Sequence, residues 1–175
     1  MSNLEVRSFS EKELDQAFAV GLREDPGLLT WLVNQTKFAG CEFDIVLIRS
    51  DHPWYRSKLT GKDSETDILI VLKNRATEGV FALHVENKLA GGKFEPNQPE
   101  TYKSRAQDWI GLKKFGAYLD YETILIAPAE FIERNAQEAS HFDRRIHHEA
   151  IAVFLPIFAT RRSIAVDVQT VQGGS

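Results

Sequence analysis

The sequence has little of several features that mark specialised protein classes. It contains one cysteine, Cys41, among 175 residues, so no intramolecular disulfide can form and the chain suits a reducing compartment. No apolar run approaches the ~20 residues that span a bilayer, and the first residues lack a basic stretch followed by an apolar one. We therefore expect a cytoplasmic protein without a membrane segment.

Positive charge is also scarce. Lys and Arg number 21 against 25 Asp and Glu, a net charge of -4, whereas a protein that coats nucleic acid nonspecifically needs a broad excess of Lys and Arg. Repeats and low-complexity segments are lacking as well. The hydrophobic content of 43% is ordinary. We assign residues 1–171 to one domain and residues 172–175 to a flexible tail.

The local patterns predict an α/β fold. Ser10 and Glu13 have the spacing of a capping box, and Asp25-Pro26 is typical of the start of a second helix. Strands are predicted at 43–48, 66–72, 80–88 and 123–127, with an edge strand at 164–171. Helices are predicted at 98–114, 130–138 and 143–154, and residues 52–61 are expected to form a polar and aromatic connection.

The third predicted strand carries the chemistry. Side chains alternate along a strand, so Glu86 and Lys88 share one face while Asn87 shares the core face with Leu83. The turn at 74–79 is too short for a helical crossover, which predicts an antiparallel hairpin. If the hairpin is symmetric, Asp67 lies opposite Glu86.

Two facing carboxylates are a conflict that a divalent cation removes. Like charges directly opposite on paired strands repel by roughly 0.2–1 kcal/mol. Hard cations such as Mg²⁺ prefer oxygen ligands, and Mn²⁺ is an expected substitute. Lys88 beside the cation would hold or deprotonate an attacking water, or neutralise a phosphate oxygen. An exposed salt bridge at the strand ends is the alternative.

Three segments resemble successive motifs of the bacterial PD-(D/E)xK nucleases. They are Glu65-Thr-Asp-Ile68, His84-Val-Glu-Asn-Lys-Leu89 and Gln98-Pro-Glu-Thr-Tyr102. The resemblance implies a restriction-endonuclease-like αβββαβ core, with a central mixed sheet flanked by helices. It also implies that Asp67, Glu86 and the Asn87 carbonyl bind Mg²⁺ and that Asp67, Glu86 and Lys88 form the catalytic centre. Thr66 stands where the family's proline would be.

Other site residues follow from the same resemblance. Gln98 and Tyr102 are similar to a pair in RecB-like members that borders the metal site and contacts substrate or orients the lysine. A pair on the helix surface is the alternative. Members often carry an acidic residue on the first helix, and the candidates that the sequence leaves open are Glu11, Glu13, Asp15 and Glu24.

The histidines receive no catalytic role from the sequence. His84 shares the face of Glu86, but packing at the edge of the core explains it equally well. His141, His147 and His148 surround Asp143, but the apolar stripe of the predicted helix leaves them solvated.

The predicted function is a Mg²⁺-dependent nuclease that hydrolyses phosphodiester bonds, with DNA as the expected partner. Basic residues near the motifs, among them Lys93, Lys103 and Arg105, favour local phosphate binding. The alternative is a catalytically silent nucleic-acid- or protein-binding module of the same fold in a defence or repair system. A monomer and a homodimer both stay open.

Overall fold

The computed structural model describes residues 8–58 and 60–159, and its centre is a five-stranded mixed sheet. The strands in chain order are β1 (Phe43–Arg49), β2 (Trp54–Arg56), β3 (Asp63–Glu65), β4 (Ile68–Asn74), β5 (Val80–Asn87), β6 (Asp120–Ala127) and β7 (Arg144–His147). The central sheet has the order β1-β4-β5-β6-β7, and β2 and β3 form a separate hairpin. β1, β4 and β5 are antiparallel, whereas β6 and β7 run parallel to β5.

Helices cover both faces of this sheet. They are α1 (Glu11–Glu24), α2 (Pro26–Asn34), α3 (Gln98–Asp108), α4 (Ala129–Arg134), α5 (Ala136–Ala139) and α6 (His148–Ile151). The capping box at Ser10 and the Asp25-Pro26 helix start are confirmed. Apolar residues of α1 and α2, such as Phe18 and Leu28, pack on the face that carries Ile70 and Leu83. Alternation along β4 and β5 sends Leu69 and Ala82 to the opposite face.

Four predictions of local structure are wrong. Residues 52–61 include β2, α3 ends at Asp108 rather than continuing to 114, and the helix at 130–138 is divided at Asn135. The predicted helix at 143–154 begins instead as β7, which pairs with β6. The apolar spacing of that segment fits a helix, but the open edge of β6 offers it a full set of backbone hydrogen bonds.

The predicted strand at 164–171 and the tail at 172–175 lie outside the described residues. Among the helices that the structure does describe, none has the length and apolar character needed to cross a membrane.

Candidate metal and catalytic centre

The hairpin register places Asp67 and Glu86 side by side at one end of the sheet. β4 and β5 pair Ile68 with Val85; Asp67 directly precedes this pair on one segment, and Glu86 directly follows it on β5. Asp67 Oδ2 accepts a hydrogen bond of 2.8 Å from the Asn87 backbone N–H. Both carboxylates line the same cleft, so the predicted juxtaposition is present in the structure.

Glu86 is buried and is held from two directions. Its Oε1 accepts a hydrogen bond of 2.6 Å from Gln98 Nε2 at the start of α3. The same oxygen lies 2.8 Å from Lys88 Nζ, and the two side chains are only 3% and 10% exposed. Gln98 and Lys88 therefore fix the Glu86 carboxylate in one orientation within the cleft.

The helix α1 contributes a third carboxylate, that of Asp15, which is fully buried. Its Oδ1 accepts a hydrogen bond of 2.8 Å from Asn87 Nδ2. Of the other acidic candidates on this helix, Glu13 caps the helix, and Glu11 accepts a hydrogen bond from the Leu89 backbone N–H. Asp15 is thus the first-helix acid that is buried at the centre, while Glu11 lies near enough to shift the pKa of both Asp15 and Lys88.

His52, which the sequence did not select, faces Asp15. Asp15, His52 and Asp67 each place one potential ligand atom within 4.8 Å of those of the other two. His52 Nε2 is 3.3 Å from Asp15 Oδ2, yet both buried atoms are without a hydrogen-bond partner among the described residues. Adjacent ligands of one octahedral ion, each ~2.1 Å from it, lie about 3.0 Å apart. The distance of 3.3 Å between His52 Nε2 and Asp15 Oδ2 is close to this value.

The other nitrogen of His52 is engaged by Glu65. His52 Nδ1 lies 2.6 Å from Glu65 Oε1, and since a carboxylate only accepts, Nδ1 carries the proton. In the neutral ring Nε2 then presents a lone pair toward Asp15. A histidine that ligates a metal commonly donates its second N–H to a carboxylate in this way. His52 also has a positive φ of 51°, a strained backbone conformation that clusters at functional sites.

A buried polar chain behind β5 orients Asp15. The side-chain nitrogen of Asn87 donates to Asp15, so the side-chain oxygen of Asn87 is left to accept from His148. Asn87 Oδ1 lies 2.8 Å from His148 Nε2. The prediction that His148 is solvated is wrong, because β7 turns into α6 and brings this side chain under the sheet, where it is 3% exposed. Burial lowers the pKa of His148 to about 4, so the ring is neutral at neutral pH.

The electrostatics of the centre favour a cation. Burial raises the pKa of Asp67 well above its usual range, and repulsion from Glu86 and Asp15 adds to this effect. Burial likewise raises the pKa of Glu86, against the attraction of Lys88. Burial raises the pKa of Asp15 to about 6, although Asn87 and His52 oppose the shift. A divalent ion would stabilise all three ionised forms.

Lys88 stays charged in this setting. Burial is the largest single effect and lowers the pKa of its ammonium group, but the carboxylates of Glu86, Glu11 and Asp67 together outweigh it and the net shift is upward. The Lys88 ammonium also lies 5.7 Å from the centre of the Phe94 ring. The geometry therefore favours a lysine that supplies positive charge over one that removes a proton from water.

The centre opens into a cleft of about 460 Å³. The β2–β3 hairpin, the ends of β4 and β5, and the α3 segment contribute to its lining, which consists of Trp54, Asp63, Ser64, Glu65, Asp67, Glu86, Glu95, Gln98 and Arg105. Five of these nine residues are acidic and one is basic, a composition that attracts cations before phosphates.

Two residues near the motifs are part of the core. Tyr102 is 1% exposed, and its hydroxyl lies 2.7 Å from Thr66 Oγ1, so the tyrosine is absent from the cleft lining while Gln98 is present in it. His84 is 1% exposed and bonds the Tyr118 hydroxyl at 2.9 Å, and burial lowers its pKa to about 3. His84 is therefore a neutral core residue.

No family model matches the sequence, and comparisons with curated proteins and with solved structures give no match. The resemblance to PD-(D/E)xK nucleases therefore rests on the three sequence motifs.

Proposed function

We propose that this chain is a divalent-cation-dependent phosphodiesterase that cleaves nucleic acid, with a restriction-endonuclease-like core. The order α1, β1, β4, β5, α3, β6 follows the αβββαβ order that the motifs imply, which supports the proposal. The β2–β3 hairpin is an insertion between the first two strands of that core. The expected substrate is DNA.

The observation that carries the proposal is the pair of buried, facing atoms Asp15 Oδ2 and His52 Nε2. The two atoms lie 3.3 Å apart without a well-aligned hydrogen bond to each other or to another described residue, and a buried polar atom left unsatisfied costs about 1–3 kcal/mol. Asp67 lies in the same cluster as this pair, and Glu86 is a charged neighbour of Asp67. The residues present fit a cation site, with Asp15, His52 and Asp67 as side-chain ligands and with Glu86 and the Asn87 carbonyl as the ligands that the motif implies.

The donor set bears on which cation is preferred. Carboxylate oxygens suit Mg²⁺ and Mn²⁺ alike, whereas an imidazole nitrogen favours the transition metal. We therefore propose that Mn²⁺ binds more tightly than Mg²⁺. The bound cation would supply charge neutralisation at the phosphate and lower the pKa of an attacking water.

The remaining roles belong to the side chains themselves. The Lys88 ammonium, held against Glu86, neutralises a phosphate oxygen as negative charge builds up in the transition state. Arg105 of α3 adds a second positive group to the cleft. Thr66 directly precedes Asp67 in the chain. The hydrogen bond between the hydroxyls of Thr66 and Tyr102 therefore fixes the backbone that positions the Asp67 carboxylate.

Cleavage of a labelled oligonucleotide and of plasmid DNA tests the proposal, in EDTA, Mg²⁺ and Mn²⁺. The wild-type protein should cleave with either cation and not in EDTA, and Lys88→Ala and Asp67→Asn should lose at least about 100-fold in rate. Lys12→Ala, an exposed lysine of α1, is the control and should keep full activity. Equal rates in EDTA and Mn²⁺ would refute a cation-dependent nuclease.

Calorimetric titration with Mn²⁺ separates this function from the silent binding module of the same fold. A nuclease site binds the ion, and Asp67→Asn weakens that binding. A module that only holds nucleic acid or protein has no need of an ion between these carboxylates. Absence of Mn²⁺ binding by the wild-type chain would therefore favour the module.

A further inference from the structure

Trp54, in the β2–β3 hairpin, is the one aromatic side chain in the described part of the chain that is mainly exposed. It is 60% exposed, while the other described Trp, Tyr and Phe residues are buried or half-buried. It also lines the cleft that holds Asp67 and Glu86. Its indole therefore offers an aromatic stacking surface to a ligand bound beside the candidate catalytic groups.

The hairpin presents Trp54 from a firm base. Residues alternate along β2, so Tyr55 faces the protein while Trp54 and Arg56 face outward. Tyr55 packs edge-on against Phe115, and Ser64 of β3 accepts a hydrogen bond of 3.0 Å from the Trp109 indole. The exposed indole is thus carried by a hairpin that is fixed to the core.

The cleft lining is mostly acidic, but Glu65 is bonded to His52, and basic side chains of the β2–β3 hairpin and of α3 are present to bind a phosphate chain. Asp63 is neutralised by two hydrogen bonds, of 2.8 and 3.0 Å, from the guanidinium of Arg56. Lys58 and Lys62, between the two strands, are exposed and have no ion-pair partner within residues 8–58 and 60–159. Arg105 lines the same cleft from α3. Aromatic side chains bordered by cations are the usual platform for single-stranded nucleic acid.

Resting on the proposed function, we propose that Trp54 stacks on an unpaired nucleobase and that the substrate of this centre is single-stranded nucleic acid. In a duplex both faces of an internal base are already stacked on neighbouring bases, so an indole can reach only a single-stranded, terminal or extruded base. Lys58, Lys62 and Arg105 contact the flanking phosphates. Their contribution is independent of base sequence.

Binding to a single-stranded DNA oligonucleotide and to its duplex tests this inference. Anisotropy is measured with Mn²⁺ in a Lys88→Ala background, which separates binding from cleavage. Stacking contributes ~1–3 kcal/mol per base, so Trp54→Ala should weaken single-strand binding by about 5- to 150-fold and Trp54→Phe by less. Duplex binding should be weaker and unaffected by Trp54→Ala.

Leu119→Ala is the matched control. Leu119 is 71% exposed and lies at the other end of β5 from Glu86, where its N–H bonds the Val80 carbonyl. It should leave both affinities unchanged. A 2-aminopurine base in the single strand should be quenched by the wild-type indole and not by Trp54→Ala, provided that circular dichroism shows both proteins folded.

The two proposals fail in distinguishable ways. The role of Trp54 would be overturned if Trp54→Ala binds the single strand as tightly as the wild type does. It would also be overturned if Trp54→Ala lowers the affinity for the duplex as much as that for the single strand. Either result would stand even if the wild-type chain cleaves DNA with Mn²⁺. Loss of single-strand binding in Trp54→Ala would support the stacking subsite even if no cleavage is detected, in which case the nuclease function is the one that fails.

Discussion

The buried carboxylate of Asp15 yields a prediction about stability as well as function. Asp15→Asn should stabilise the protein in the absence of metal. The substitution removes a buried charge, and the new amide nitrogen can donate to His52 Nε2 while the amide oxygen still accepts from Asn87. One substitution would thus satisfy both of the unpartnered atoms.

The magnitude follows from the pKa of Asp15. Burial raises it from 3.8 to about 6, and one pH unit corresponds to ~1.4 kcal/mol, so the ionised carboxylate costs up to about 3 kcal/mol. Because the pKa of Asp15 is raised on folding, the wild type has its full stability below pH 3.8, where Asp15 is protonated in both states. It loses up to about 3 kcal/mol of that stability as the pH rises through 6. The gain from Asp15→Asn should therefore be near zero below about pH 4 and reach ~1–3 kcal/mol above pH 7.

Urea unfolding and thermal melting in EDTA, from about pH 4 to pH 7.5, measure this difference. A gain of that size corresponds to roughly 2–12 °C in Tm for a chain of this length. With Mn²⁺ at 1,000 times its Kd the wild type should become the more stable protein, because ion binding then stabilises it by ~4.1 kcal/mol and Asp15→Asn binds the ion weakly.

Glu24→Gln is the control for removing one negative charge from the same helix. Glu24 is exposed, so its replacement should alter the free energy of unfolding by no more than ~0.5 kcal/mol. A lower stability of Asp15→Asn than of the wild type in EDTA at pH 7.5 would show that the buried charge of Asp15 is not a cost. A stabilisation that persists undiminished at pH 4 would show that it does not come from removing that charge.

Three further predictions concern cation affinity, measured by titration calorimetry. His52→Gln should reduce the preference for Mn²⁺ over Mg²⁺, since the imidazole is the ligand that favours the transition metal; an unchanged ratio would contradict its role. His148→Leu should weaken Mn²⁺ binding by about 10- to 100-fold, because Asn87 then no longer holds Asp15 in place. Unchanged affinity in a folded variant would show that the hydrogen bonds from His148 through Asn87 to Asp15 have only a structural role. Below about pH 6, where Asp15 gains a proton, Mn²⁺ affinity should fall by up to ~tenfold per pH unit with a proton released on binding, so a flat profile from pH 5 to 7.5 would count against Asp15 as a ligand.

The geometry of the β4–β5 pair could be predicted because it depends on local rules. A six-residue turn fixes which residues of β4 and β5 face each other, and alternation fixes which face each side chain takes. Asp67, Glu86 and Lys88 follow from these two rules. The capping box of α1 follows for the same reason, since its partners are three residues apart.

The segment from 143 to 154 shows why local rules fail elsewhere. Its apolar spacing is typical of a helix, yet residues 144–147 become a strand because β6 has an open edge to pair with. That pairing decides the environment of His148 at the start of α6. No pattern in the sequence signals that β6 has an open edge.

The sequence by itself determined the register of one hairpin and therefore the facing carboxylates and their lysine, since all of them lie within a short, regular stretch of chain. Only the tertiary structure decided that Asp15 completes the centre, that His52 faces it and that His148, 61 residues from Asn87, supports it from behind. These contacts join distant segments, and their geometry depends on how α1, the β2–β3 hairpin and β7 pack on the sheet. Packing of that kind results from the whole core and leaves no periodic trace in the chain.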